Sequence, residues 1–158
     1  MTPNEHAALL SSSFSGHEKD PDAFEKAMEE YRRLIPSDRE LVNNELASFL
    51  RCEERTWELS GVVALVHVLE ITETEGDLLE ILRKRFSEIE LRRLTAISPQ
   101  KGGVEKLLLG SLLATLISLG SSEGIEIARE LQDKFGDTWV GRTARGRLSN
   151  ASKKKRDD

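Results

Sequence analysis

His67 and Glu70 stand three residues apart, a spacing that places two metal-ligating side chains on one face of a helix. A metal site needs at least one or two ligands more. His6 and His17 lie in a polar N-terminal stretch, and Cys52, the single cysteine, has no His or Cys beside it. Flanked by Val66, Val68 and Leu69, His67 reads instead as a core histidine with one hydrogen-bond partner. Paired carboxylates occur at Glu29-Glu30, Glu53-Glu54 and Glu88/Glu90, the raw material of general acid–base chemistry. On helix faces such pairs are solvated, and nothing in the neighbouring sequence shifts their pKa. Lys101-Gly102-Gly103 lacks the Gly-Lys-Ser/Thr ending of a phosphate-cradling loop, and no nucleophile elbow, zinc-protease motif or dinucleotide fingerprint is present. The expectation is a protein with no enzymatic activity, cofactor, metal or small-molecule substrate.

Residues suited to gripping another macromolecule are better represented. Trp57 and Trp139 each follow a threonine at a predicted helix start, and Arg92, Arg93, Arg142 and Arg145 lie on predicted helices. Trp and Arg dominate binding hot spots, so these six residues form the candidate partner-binding set: Trp57, Arg92, Arg93, Trp139, Arg142 and Arg145. The competing reading packs both tryptophans into the core.

The elements that position them are all helical. Residues 1–19 are polar and expected to be poorly ordered. Asp20-Pro21 opens a first helix whose apolar stripe runs Phe24, Ala27, Met28, Tyr31, Leu34 and Ile35, and Pro36 ends it. Ser37 with Glu40 suggests a capping box for a second helix. A third, from Thr56 to about Ile71, is apolar nearly all round in its second half, as is a sixth, Val104–Leu119. Between them lie a helix carrying Leu78–Phe86 and a short one opened by Ser87 and Glu90. A seventh stops at Gly136, and an eighth carries Trp139 to Leu148. Residues 20–150 therefore form one domain, and 151–158 a disordered charged tail.

Two segments of the chain match one another. Residues 64–76 lie over 112–124 at an offset of 48, which pairs Gly76 with Gly124; after one insertion, 78–86 lie over 127–135. Residues 113–128, with Leu119-Gly-Ser-Ser-Glu-Gly124 at their centre, and Asp137-Thr-Trp-Val-Gly-Arg-Thr-Ala-Arg-Gly-Arg-Leu148 together resemble HEAT repeats. The resemblance is good over 104–148 and fair over 57–98. It lacks the family's proline early in the first helix of each hairpin, and Gly141 stands where an arginine is usual. What it implies is an all-α short solenoid of stacked antiparallel hairpins, about eight helices in all. Arg92, Arg93, Arg142 and Arg145 would then lie on its concave side.

Charge is unevenly spread. Residues 137–158 carry a net +4, leaving −9 on the other 136. An acidic body disfavours nucleic acid and favours a basic protein partner. The lone cysteine suits a reducing cytoplasm, and no stretch is long and apolar enough for a membrane span. The expectation is a cytoplasmic, non-enzymatic interaction module, such as an inhibitor or immunity-type protein that occludes a basic partner. The alternative is a nucleic-acid binder using the basic C-terminal helix and tail; HEAT-like alkylpurine glycosylases share that architecture only.

Overall fold

The computed structural model describes residues 21–157, and these are helical, with no strand among them. Seven helices run in order: α1 Pro21–Cys52, α2 Thr56–Leu69, α3 Glu75–Arg85, α4 Glu88–Ile97, α5 Gly103–Ser118, α6 Ser122–Phe135 and α7 Trp139–Asp157, with a 3₁₀ turn at Thr72–Thr74. The expectations for residues 1–19 and for an Asp20 cap lie outside the described residues.

The count is one fewer than expected because α1 joins the two helices predicted on either side of Pro36. A proline inside a helix removes one hydrogen bond and bends the chain rather than always stopping it. Here the break falls two residues later, at Asp38 (φ −149, ψ 54). Ser37 does not cap the segment beyond that break; its hydroxyl donates to the Leu34 carbonyl at 3.4 Å. Ser87 does cap α4, accepting from the Glu90 amide at 3.3 Å. A second difference is at the C-terminus, where α7 continues through residues 151–157 in place of the expected disordered tail. That stretch contains neither Gly nor Pro to break the helix.

The two helices that read as apolar on all sides occupy the centre. α2 packs against α1 and α5, and α5 against α2, α3, α6 and α7. Val62, Val63, Leu65 and Val66 of α2 and Leu109, Leu112, Leu113 and Leu116 of α5 are fully buried. Each such side chain contributes roughly 1.5–3 kcal/mol on leaving water. In α1, Tyr31 is buried with its hydroxyl donating to Glu45 at 2.9 Å, and burial followed by the Glu45 carboxylate pushes the phenol pKa well up. Among the described residues no helix is long and apolar enough to cross a membrane.

α2 and α5 end alike. Glu70 (φ 55) and Gly120 (φ 77) are both left-handed, and the next amide reaches back to a carbonyl five residues earlier: Ile71 to Val66 at 3.2 Å, Ser121 to Leu116 at 2.9 Å. The internal repeat in the backbone therefore runs at fifty residues, not the forty-eight obtained by matching letters. Buried positions follow the longer period, Val62 with Leu112, Val66 with Leu116, Thr74 with Gly124 and Leu78 with Ala128. Matching the two Glu-Gly pairs misleads because the glycines differ in role. Gly76 faces open space, whereas a Cβ on Gly124 would come within 2.6 Å of Leu116 Cβ.

Candidate functional site

α4 is the least anchored helix of the fold. Of its ten residues only Leu91 is buried, whereas α3 buries Leu78, Leu79, Ile81 and Leu82. Its outward positions are not polar as an idle surface helix would make them. Ile89 is 83% exposed and Ile97 70%, and Leu107, across the loop on α5, is 50% exposed. Ile89, Arg93 and Ile97 recur at intervals of four, so they share one stripe along the helix. Single exposed hydrophobics are ordinary, but three of the four large ones among the described residues fall on this helix and its neighbour.

The charges of the ridge are matched internally. Arg92 donates to Glu88 at 2.9 Å, and Arg93 donates to Glu90. Those hydrogen bonds, first among the causes, hold both carboxyls below the ordinary carboxylate range. The Arg92 guanidinium also sits 5.6 Å from the centre of the Phe135 ring, and Lys134 of α6 lies 3.9 Å from Glu88. The ridge is thus apolar, ion-paired and close to neutral. Behind it, the loop after α4 is pinned to α7: the Trp139 amide donates to Pro99 O at 3.3 Å and Arg142 to Gln100 O at 3.2 Å.

The six predicted partner-binding residues separate in the structure. Arg92 and Arg93 are exposed on α4, whereas Arg142 is half-buried on α7 and donates to the Gln100 and Asp137 carbonyls. Arg145 is exposed further along α7, beside Gln132 of α6. Trp57 is half-buried; the preceding Thr56 lines a shallow cleft of about 270 Å³ with Arg93 and Glu90. Trp139 is 1% exposed and packs over Gly102, where a Cβ would come within 2.6 Å of the indole. It has no surface to offer, so the packing alternative holds for it. Sequence reasoning does not single out Ile89, Ile97 and Leu107; their one signal is that Ile89 and Ile97 fall off the stripe containing Leu91 and Leu94.

The residues that suggested other chemistry are placed elsewhere. His67 is half-buried, while Glu70 has left the helix for its left-handed cap and is exposed, so the two do not share a helical face. Among the described residues no group of three His, Cys, Asp or Glu could hold a metal ion. Glu53 accepts from Arg55 at 2.7 Å, which lowers its pKa, and Glu30 pairs with Arg33 at 2.5 Å. A carboxyl held in the ionised form by guanidinium, as Glu53 is, is the reverse of what a general acid requires. Cys52 is exposed at the end of α1. Comparison with models of known protein families, with curated protein sequences and with solved structures finds no match.

Proposed function

We propose that this protein is a non-catalytic protein-binding module, a short HEAT-like stack of helical hairpins that presents α4 to a basic partner protein. The observation that carries the reading is the exposure of Ile89 and Ile97 on one stripe of a helix whose four charges cancel. Desolvating such a surface strands no unpaired charge, and the buried aliphatic area with an arginine alongside has the composition of an interface core. The fifty-residue backbone repeat and the packing of α2 directly on α5 support the hairpin-stack architecture.

Two ranges of force divide the work. The −9 carried by residues 1–136 attracts a cationic protein from a distance and sets its approach rate. The α4 ridge supplies the short-range contact that holds it. Occlusion by an inhibitor or immunity-type protein needs only these two features and no reacting group.

The test is affinity capture on the full chain from nuclease-treated native extract, run in parallel with an Ile89→Glu/Ile97→Glu variant whose helicity is checked by circular dichroism. A stoichiometric basic protein retained by the wild type and lost by the variant supports the reading. Its affinity should fall as salt rises. Equal capture by both forms, or affinity flat in salt, would sink the proposed surface or the proposed steering respectively.

A further inference from the structure

Seven of the nine arginines from Arg32 to Arg93 hold a carboxylate within 4.0 Å. Among the described residues the exposed cations Arg145 and Lys153 of α7, like Lys26 and Arg32 of α1, hold none. Two charges of the adjacent α6 are engaged away from this helix: Glu123 pairs with Arg83 of α3, and Lys134 with Glu88 of α4. Arg147 belongs to a different flank, its guanidinium lying over Gly110 of α5, where a Cβ would come within 2.9 Å of Nη2.

Arg145, Ser149 and Lys153 recur at i, i+4 and i+8, so they form one stripe spanning roughly 12 Å along the helix. With Ser152 and with Gln132 from α6 they line an open groove of about 340 Å³ floored by Leu148. The helix dipole acts only within the terminal turns, and Arg145, the seventh of nineteen residues, lies outside them, so the dipole does not explain it. The groove therefore offers two unpaired cations, the Ser149 hydroxyl and the Gln132 amide as donors, with no carboxylate among its lining residues; the Ser152 hydroxyl already donates to the Leu148 carbonyl at 3.2 Å.

We propose that this groove binds phosphate groups of a nucleic-acid backbone, an activity separate from the α4 ridge. A row of donors two helical turns long matches successive phosphates on one strand better than a single small anion. No aromatic side chain lies on the stripe to stack a base, so the contact is to the backbone and blind to sequence. The exposed positions between the two cations are Gly146, Ser149, Asn150 and Ser152, which offer nothing apolar to insert into a lipid surface. The acidic body confines the footprint to α7, so binding is weak and steeply salt-dependent.

The test is fluorescence anisotropy of a labelled single-stranded oligothymidylate with the full chain over a salt series. It compares wild type, Arg145→Ala/Lys153→Ala, and Lys26→Ala/Arg32→Ala, which removes the same charge from the exposed face of α1. The expected result is that the α7 variant loses about tenfold in affinity and about one unit of the log–log salt slope per cation removed, while the α1 variant keeps both. Equal losses in the two variants would reduce the effect to net charge and overturn the site. Capture by phosphatidylserine vesicles without oligonucleotide binding would overturn it in favour of a membrane surface, and no binding to either at low salt would overturn it outright.

Discussion

Glu70 and Gly120 hold the same left-handed place at the ends of the two central helices, φ 55 and 77, yet only one of them is a glycine. A residue with a Cβ adopts this conformation at a cost of about 1–2 kcal/mol, which glycine avoids, less the entropy glycine gains in the unfolded chain. Glu70→Gly is therefore expected to raise the melting temperature by about 2–4 °C, and Gly120→Ala to lower it by a similar amount. The contact that Glu70 makes with Arg39 is through its carbonyl, at 3.4 Å, and survives the change. Thermal unfolding of both variants checks this; a fall with Glu70→Gly would mean that the two caps are not equivalent.

That pairing also shows what a one-dimensional reading can and cannot find. The helices themselves are legible because Leu, Val and Ile recur at their spacing, and α2 and α5 announce their central place by being apolar all round. The turns are not, since a left-handed glutamate looks like any other glutamate and the Glu75-Gly76 pair attracts the alignment instead. Thr56-Trp57 and Thr138-Trp139 are the same two letters, yet only Trp139 is wholly buried. What distinguishes it is room made by Gly102, thirty-seven residues away. The α4 ridge is hidden for a related reason: a ten-residue helix with one buried leucine has too little periodicity to show which isoleucines face outward.

The two glycines matched by sequence should respond oppositely to alanine. Gly76 sits in α3 with nothing within 4 Å of where an alanine methyl would stand, so Gly76→Ala gains helix propensity, about 0.5–1 kcal/mol. Gly124 is buried in α6, and there Leu116 Cβ lies 2.6 Å and Leu116 Cδ1 3.3 Å from the methyl's place. Gly124→Ala should cost about 1–3 kcal/mol through overpacking. Urea denaturation of the two variants measures both. Equal shifts would restore the forty-eight-residue register.

Acid should weaken the fold through the carboxylates that arginines hold. Glu73 is the clearest case, its pKa lowered below the ordinary 4.5 first by the hydrogen bond from Arg39, with Nε at 3.0 Å. Because its folded-state pKa lies below the unfolded one, its contribution is complete above the unfolded value and is lost as pH falls through the folded value. Glu73→Gln should accordingly be less stable than wild type near neutrality and lose less on acidification from about pH 5 to 3. Denaturant midpoints across that range decide it; parallel curves for the two proteins would mean the Arg39 pair is without effect on stability.

Trp139 should behave as a core residue in both spectroscopy and energetics. In a Trp57→Phe background it is the sole indole, and at 1% exposure its fluorescence should resist iodide quenching until the protein unfolds. Trp139→Ala removes a large buried ring and should cost about 3–5 kcal/mol, lowering the melting temperature by more than about 6 °C. Trp139→Phe should cost markedly less than the lost ring area implies. The indole Nε1 is buried with no hydrogen-bond partner among the described residues, and removing an unpaired donor relieves a desolvation penalty of about 1–3 kcal/mol. Ready quenching in the folded state, or an alanine variant as stable as wild type, would return Trp139 to the surface and reopen it as a partner contact.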